Sequence, residues 1–392
     1  MIPYSTQKID KKDIQEVVNT LKSPFLTQGP KVAQFEKALT VKVDVKYAAS
    51  TNSATSALHI ACMALGFKKG DILWTTPNTF VASSNCALHL EGKVDFVDID
   101  YLSGNMDVRL LEKKLINAKK KGKLPKVIVP VHFAGFPTEQ EKIFKLSKKY
   151  KFKIIEDASH SLGAKYKNVK VGSCKWSDIS IFSFHPVKII TTLEGGAAVT
   201  NNKIIYDKLK LFLNHGITKD EKKFKFRNKK KWYYEQQLLG LNYRMTDVSA
   251  ALGLSQLKKL KNFVVTRNKI AKIYNESLDQ KYLHVPEIRK NIISSFHLYV
   301  IKVKKKYHRY HEKFFNHLRK KKINVNGHYI PVHLHPFYRR LGFKIGDFKV
   351  SEKHSNTSIS IPIFPGLKLK EVIKISNLIN NFFTKLDNQK LR

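Results

Sequence analysis

The chain has 392 residues, of which 42% are hydrophobic and 26% are charged, so it has the composition of a folded globular protein and the length for two domains. Its 72 Lys and Arg residues against 31 Asp and Glu residues give a formal net charge of +41, which raises nucleic acid as a partner. The basic runs are scattered and accompany no nucleic-acid-binding motif, so we expect no specific nucleic-acid partner.

No apolar window approaches the roughly 20 residues of a membrane span. The N-terminal MIPYSTQKID carries no secretory signal pattern. We therefore expect a cytoplasmic protein without membrane association. Cys62, Cys86 and Cys174 are odd in number and widely spaced, which fits neither a disulfide framework nor a zinc site, so we expect buried free thiols and no metal.

Short β-rich runs alternate with helical patterns from Asp71 to Asn201. The predicted strands are DILWTTP, KVDFVDI, KVIVPVHF, FKIIED, DISIFSF and GAAVTN. The predicted helices are Thr79–Leu90, Asp107–Lys121 and Thr138–Tyr150. Thr138 and Glu141 form a capping-box pattern at the start of the last helix. This alternation predicts an α/β fold with a large, mostly parallel sheet covered by helices.

A long amphipathic helix is predicted from Thr246 to about Leu278, after which strand and helix patterns restart. These later elements are the strand SSFHLYVIKV and helices near Tyr307–Lys321 and Lys368–Leu386. We therefore expect a large domain at 1–260, including the N-terminal segment, and a smaller α+β domain at 261–392. The basic segment from Gly216 to Gln237 is poor in aliphatic residues and is predicted to be a loop or an insertion.

Several familiar catalytic motifs are absent from the sequence. No GxGxxG follows a strand, and GxxxxGK[ST], HExxH and GxSxG do not occur. Hydride transfer on a nucleotide cofactor, P-loop phosphoryl transfer, zincin chemistry and α/β-hydrolase chemistry therefore lose their usual sequence support.

Two stretches carry polar groups where an α/β fold binds ligands. Ser53, Ala54 and Thr55 precede a helical pattern, and their amides would favour a phosphate at the helix N-terminus, although a plain helix cap is the better explanation for this stretch alone. FKIIEDASH ends a strand at Asp157, where parallel sheets hold ligands. Taken alone, Asp157 and His160 are better explained as polar loop residues.

Lys188 is the one lysine in FSFHPVKIITTLEGG, residues 182–196. Aromatic and β-branched neighbours would remove water from the ammonium and lower its pKa, which suits a nucleophilic amine. The competing explanation is a lysine that reaches the surface. A phosphate cradle, a strand-end carboxylate and a desolvated lysine are together the groups that pyridoxal phosphate requires.

Motifs spread along the chain carry a family resemblance. They are LTQGP, NSATSAL, TPNTFVASSN, EDASH, SFHPVK, TTLEGG, GLNYRM and HYIP. On these motifs the chain resembles the DegT/DnrJ/EryC1/StrS sugar aminotransferases over nearly its whole length. The resemblance implies the aspartate aminotransferase fold, type I of the pyridoxal phosphate enzymes, with a large mostly parallel sheet domain and a smaller C-terminal α+β domain.

The resemblance also implies roles for single residues. It assigns Lys188 to the covalent bond with the cofactor aldehyde and Asp157 to the pyridine nitrogen. The other implied cofactor contacts are Phe80 stacking on the ring, His160 at the phenolic oxygen, and Ser53, Ala54 and Ser183 at the phosphate. Asn242 matches an asparagine that reaches the cofactor phosphate of the neighbouring subunit, which implies a homodimer with shared active sites.

The resemblance bears on the substrate as well. The implied substrate-binding residues are Thr27, Gln28, His328 and Tyr329. The runs LTQG, SHSLG and ALGLSQLKKL are most similar to the branch of the family that aminates C4 of a UDP-linked 4-keto-6-deoxy-N-acetylhexosamine in pseudaminic acid biosynthesis, with L-glutamate as donor. The alternative is an aminotransferase for a GDP- or dTDP-linked keto sugar. Lys188 argues against the related dehydratases, which carry histidine at this position.

Overall fold

The structure is a computed structural model that describes residues 1–226, 230–288 and 290–390. The α-helices of these ranges are α1 (Lys11–Leu21), α2 (Pro30–Val43), α3 (Ala54–Ala64), α4 (Ala82–Leu88), α5 (Val108–Lys120), α6 (Gln140–Tyr150), α7 (Lys203–Phe212), α8 (Asp247–Ser277), α9 (His311–Lys320), α10 (Pro336–Arg340), α11 (Lys349–Ser355) and α12 (Leu369–Lys390). The strands are β1 (Tyr47–Thr51), β2 (Ile72–Thr75), β3 (Lys93–Phe96), β4 (Val127–Ile128), β5 (Lys153–Asp157), β6 (Lys165–Tyr166), β7 (Val169–Lys170), β8 (Ile179–Ser183), β9 (Gly196–Thr200), β10 (Ile217–Thr218), β11 (Glu235–Gln236), β12 (Leu283–His284), β13 (Ile292–Ile293), β14 (Tyr299–Val303) and β15 (Ser358–Ile361).

A seven-stranded sheet forms the centre of the fold, in the order β1-β9-β8-β5-β4-β2-β3. All neighbouring strands are parallel except that β9 runs antiparallel to both β1 and β8. Each of the six strands predicted from the alternating pattern lies in this sheet. The predicted α/β fold with a largely parallel sheet is therefore confirmed, whereas β1 was not predicted.

Side chains of the sheet alternate between two apolar layers, as the pleat of a strand requires. Ile179 and Ile181 pack with residues of α3 on one face, whereas Phe182 packs with residues of α2 and α8 on the other. Such continuous apolar strands are typical of parallel sheets buried on both sides. Cys62 and Cys86 are buried free thiols, as predicted, and Cys174 is partly buried.

The start of α6 differs from the prediction. The helix begins at Gln140 after Glu139, with no side-chain cap, so the predicted capping box at Thr138 is wrong. The Thr138 amide donates to His132 Nδ1 (3.1 Å) and its carbonyl accepts from the Gln140 amide (2.8 Å). These two bonds hold Thr138 outside the helix.

The 31-residue helix α8 links the large sheet to the C-terminal elements. It begins after Thr246, as predicted, and Asp247 accepts hydrogen bonds from the amides of Gly29 (2.8 Å) and Lys31 (2.7 Å). Farther along, the buried Arg267 donates from Nη1 to backbone carbonyls, including that of Phe296 (3.0 Å).

The C-terminal elements form a second apolar cluster around the sheet β12-β14-β15, with α8, α9 and α12 packed on it. The predicted boundary between 260 and 261 falls inside the continuous helix α8 and stays a prediction.

The basic segment from Gly216 to Gln237 contains the antiparallel pair β10 and β11. Part of the predicted loop, residues 227–229, lies outside the described residues. Phe226, Trp232 and Tyr234 in this segment are largely exposed. Among the helices of the described ranges, none is both long and apolar enough to cross a membrane.

Candidate active site

Asp157 lies at the carboxyl end of β5, at the edge of the sheet where parallel strands bind ligands. Its Oδ2 accepts a hydrogen bond from Ser83 Oγ (2.6 Å), and its Oδ1 accepts one from the Ser159 amide (3.1 Å). The preceding residue, Glu156, points to the other face of the sheet and accepts from Gln140 Nε2 (2.6 Å). The strand therefore presents one carboxylate, already oriented by two donors, to the candidate site.

Lys188 lies in the loop between β8 and β9. Its amide donates to the His185 carbonyl (2.9 Å), and the next two residues, Ile189 and Ile190, are buried in the core. Burial lowers the pKa of the Lys188 ammonium to about 8, and the charge of nearby Asp157 opposes this fall. At that pKa about one amine in ten is neutral at pH 7, against about one in 3,000 for an ordinary lysine. The lowered pKa predicted from the neighbouring residues is confirmed.

His160 and Tyr329 contact each other beside Lys188. His160 Nδ1 accepts a hydrogen bond from the Ala134 amide (3.3 Å), so a neutral imidazole carries its proton on Nε2 and donates it to the Tyr329 hydroxyl (3.2 Å). Burial, followed by the charges of Lys188 and His328, lowers the pKa of His160 well below its usual value. Because Tyr329 accepts from His160, its own proton remains available to an acceptor in the site.

His328 completes this group. Its Nδ1 lies 2.8 Å from Ser360 Oγ, and burial together with the charge of Lys188 lowers its pKa to about 3. The Tyr329 amide donates to Asn78 Oδ1 (3.2 Å). The structure thus brings together Asp157, Lys188, His160, His328 and Tyr329, which sequence analysis took from three separate motifs.

A helix N-terminus lies next to this group. Ser53 is the N-cap of α3, and its side chain accepts from the Ser56 amide (3.1 Å), as the plain-cap explanation predicts. The amides of Ala54 and Thr55, however, donate to no acceptor in the described part of the chain. These free donors and the helix dipole make the position suitable for a phosphate.

Gly196 joins this helix end to Ser183. It pairs with Ser183 across β8 and β9, and a Cβ on Gly196 would lie 2.4 Å from the Ala54 nitrogen. Only glycine permits this close approach of two backbones. Ser53, Ala54 and Ser183 are therefore neighbours around one edge of β9.

Two further predicted cofactor residues are exposed. Phe80 is 60% exposed and lies in the turn before α4, three residues from the Ser83 that binds Asp157. Asn242 is exposed. The carbonyl of the next residue, Tyr243, accepts a hydrogen bond from the Asn52 amide (2.9 Å). An aromatic ring and an amide that no part of the single chain covers are consistent with contacts to groups outside it.

Thr27 and Gln28 lie apart from the Lys188 group. Both side chains are exposed before α2, and within the described residues neither forms a hydrogen bond to that group. Gln28 instead lines a cavity of about 410 Å³ together with Arg244 and Lys210. The structure of the single chain does not bring these two predicted substrate residues to His328 and Tyr329.

Sequence analysis missed three side chains that build the site. Ser83 orients Asp157, Asn78 holds the backbone of Tyr329, and the buried His297 has its ring centroid 4.3 Å from that of His160. Ser83 and Asn78 fall within TPNTFVASSN, so the motif contained them without indicating their partners. Nothing in the spacing of His297 indicated a position next to His160.

The residues present fit pyridoxal phosphate. A carboxylate for the ring nitrogen, an amine of lowered pKa and free amides at a helix N-terminus lie together, with an exposed aromatic ring close by. The described residues contain no group of three or more His, Cys, Asp or Glu side chains placed to hold a metal ion.

Comparison with known proteins places the chain in a family. Residues 7–380 match the model of the DegT/DnrJ/EryC1/StrS aminotransferase family. The chain belongs to this family. The predicted resemblance is confirmed, and the family match covers almost all of the large sheet and the C-terminal elements.

Members of the family and solved structures resemble the chain throughout. A Campylobacter jejuni protein named UDP-4-amino-4,6-dideoxy-N-acetyl-beta-L-altrosamine transaminase is 40% identical over 389 residues, 98% of each chain. Helicobacter pylori PseC, an aminotransferase involved in the biosynthesis of pseudoaminic acid, has a TM-score of 0.89 at 35% identity, covering 98% of this chain and 99% of that one. A Streptococcus pneumoniae protein solved in a PLP form has a TM-score of 0.88 at 28% identity, covering 98% and 99%. The predicted type I fold is thereby confirmed.

Proposed function

We propose that this aminotransferase uses pyridoxal phosphate to transfer an amino group from L-glutamate to C4 of a UDP-linked 4-keto-6-deoxy-N-acetylhexosamine. The observation that carries the proposal is the position of Lys188, a partly buried lysine whose pKa desolvation lowers to about 8, beside the oriented carboxylate of Asp157. The names of the C. jejuni and H. pylori relatives support the sugar and the pathway.

Lys188 and Asp157 have different tasks in this proposal. When bound, pyridoxal phosphate supplies an aldehyde carbon that amines attack and a ring that takes up an electron pair from the substrate carbon. With its lowered pKa, Lys188 would be available as the neutral amine to hold the aldehyde carbon and, when free, would carry a proton between substrate carbon and cofactor carbon. Asp157 holds a proton on the ring nitrogen through a charge-assisted hydrogen bond.

The remaining cofactor residues position the group. The free amides of Ala54 and Thr55, with the hydroxyls of Ser53 and Ser183, bind the phosphate, and Phe80 covers one face of the ring. His160, whose Nδ1 accepts from the Ala134 amide, would donate its Nε2–H to the phenolic oxygen in place of the Tyr329 hydroxyl. These contacts fix the reacting carbon next to Lys188, so one amine serves both halves of the reaction.

The substrate residues and the dimer belong to the same proposal. His328 and Tyr329 face the keto sugar beside Lys188, whereas Thr27 and Gln28 act at the mouth of a neighbouring subunit's site. Asn242, exposed in the single chain, reaches the partner's phosphate. The active enzyme is then a homodimer, and each site contains residues of both subunits.

Borohydride reduction of the purified enzyme, followed by peptide mapping, tests the cofactor link. We expect the reduced cofactor on Lys188 alone, and a Lys188→Ala variant should yield no labelled peptide. Label on another lysine, or an active enzyme free of the cofactor, would refute the proposal.

Mixed dimers test the shared site. Lys188→Ala and Asn242→Ala subunits are each expected to be inactive, but in a mixed dimer one of the two sites has both residues intact. Activity should therefore return toward about a quarter of the wild-type value, because half of the dimers are mixed and each has one working site. Mixtures no more active than either parent would contradict the contact across subunits.

Turnover with a panel of nucleotide sugars separates the proposed substrate from the alternative. UDP-, GDP- and dTDP-linked 4-keto-6-deoxy sugars are each offered with L-glutamate, and kcat/KM is compared. A preference for the UDP sugar is expected. A higher kcat/KM for the GDP- or dTDP-linked sugar would overturn the proposed substrate and leave the proposed cofactor chemistry unchanged.

A further inference from the structure

A second cavity, of about 790 Å³, lies between the large sheet and the C-terminal sheet. One wall is formed by residues that follow β3 and by the Phe133–Phe136 turn, and the opposite wall by β12, β14 and the segment after β12. Its volume is within the range of small-molecule sites in proteins. None of the residues proposed to bind the cofactor or the sugar lines it.

About half of the residues that line the cavity are apolar. The apolar side chains are Leu102, Met106, Val108, Phe133, Phe136, Leu283, Val285, Ile292 and Val300. Apolar walls with a few polar groups are the usual composition of a site for a small organic molecule. The lining therefore favours a ligand with an apolar body.

The lining also contains a buried cation, Lys302: burial lowers its pKa to about 8, and the charge of nearby Asp100 opposes this fall. Lys302 is 5% exposed, and its Nζ donates to the Leu102 carbonyl (2.9 Å) but forms no ion pair with a carboxylate in the described residues. Buried ammonium groups are costly unless they are paired. Lys302 retains N–H donors that the Leu102 carbonyl does not use.

The lining also contains five acidic residues, among them Glu287, so the cavity is not uniformly basic. Asp107 pairs with Arg109, Glu139 with Lys142, and Glu112 with Lys149, while Asp100 accepts from the amide and hydroxyl of Ser103. On the opposite wall, His284 pairs with Lys302 across β12 and β14, and Lys304 follows two residues later. Lys302 and Lys304 thus carry two positive charges at this end of the cavity, where the charge of Asp100 acts on Lys302.

We propose that this cavity binds a small organic anion, with its apolar body against the Phe133–Phe136 turn and its anionic group paired with Lys302. The proposal does not depend on the proposed function, since binding here needs neither pyridoxal phosphate nor a sugar. The turn is also the wall toward the candidate active site, because the Ala134 amide is bonded to His160.

Two matched ligands test the proposal by isothermal calorimetry on the purified enzyme. 1-Naphthaleneacetate has an apolar body and a carboxylate, and 1-naphthaleneacetamide is its neutral isostere. We expect the wild-type enzyme to bind the carboxylate at least about tenfold more tightly, as a charge-assisted hydrogen bond provides. Binding of neither ligand, or equal binding of both, would overturn the proposal.

Three variants locate the binding. Lys302→Met should weaken binding of 1-naphthaleneacetate at least about tenfold and leave the affinity for 1-naphthaleneacetamide within about twofold. Lys114→Met, which removes a half-buried lysine outside the cavity, should change neither affinity. Val285→Trp fills the cavity and should abolish binding of both ligands. Undiminished carboxylate binding to Val285→Trp would place the ligand elsewhere and refute the site, even if Lys302→Met failed to fold.

Discussion

Replacing Lys188 with Met should stabilise the cofactor-free protein at neutral pH. The fall of the Lys188 pKa from the ordinary 10.5 to about 8 makes the charged form less favourable by about 3 kcal/mol, at about 1.36 kcal/mol per pKa unit. Because the unfolded chain binds this proton more tightly than the folded one, the wild-type protein gains stability as pH rises from about 8 to 10.5. Methionine has a similar shape and carries no charge, so the variant avoids the penalty.

Urea unfolding of cofactor-free wild-type and Lys188→Met protein measures this difference at fixed protein concentration. We expect the variant to be more stable by up to about 3 kcal/mol at pH 7 and by about 1 kcal/mol at pH 10. The exposed Lys305→Met serves as the control and should show no such dependence on pH. A difference that stays constant between pH 7 and 10, or a less stable variant, would refute the burial of a costly charge at Lys188.

Three further substitutions test other parts of the site. Asp157→Asn should weaken cofactor binding by roughly 10- to 100-fold, the value of one charge-assisted hydrogen bond, as measured by titration of the cofactor-free enzyme; unchanged affinity would contradict its role at the ring nitrogen. Tyr329→Phe leaves the His160 Nε2–H without its partner and should lower stability by about 1–3 kcal/mol in thermal unfolding, and an unchanged stability would contradict this bond. Gly196→Ala forces a Cβ to 2.4 Å from the Ala54 nitrogen and should weaken cofactor binding, whereas Gly327→Ala, with nothing within 4 Å, should not.

Sequence patterns predicted the sheet better than the site. The six predicted strands of the large sheet are present because strands buried on both faces need apolar runs, which are visible in the sequence alone. The short strand β1, YAAST, lacks such a run and is fixed by its antiparallel pairing with β9. The predicted capping box at Thr138 was wrong because the Thr138 amide donates to the His132 ring, six residues earlier in the chain, a bond that the capping pattern does not reveal.

The site shows the same division between local and long-range information. The lowered pKa of Lys188 was predictable because its neighbours in the chain are apolar, and Ile189 and Ile190 are buried in the core. The bond from Ser83 to Asp157 joins residues 74 positions apart, and that from His160 to Tyr329 joins residues 169 apart. No periodicity encodes such pairs, so motif resemblance could supply the residues and only the fold could supply their partners.

The uninterrupted helix α8 limits how the two halves of the molecule can move. At 1.5 Å per residue its 31 residues form a rod about 46 Å long, and no proline interrupts it. Asp247 fastens one end to the amides before and within α2, while Arg267 ties the farther part to the carbonyls of Phe296 and Ile363. A change in the angle between the large sheet and the C-terminal sheet would therefore bend this helix, which resists bending with a restoring force that grows with the angle.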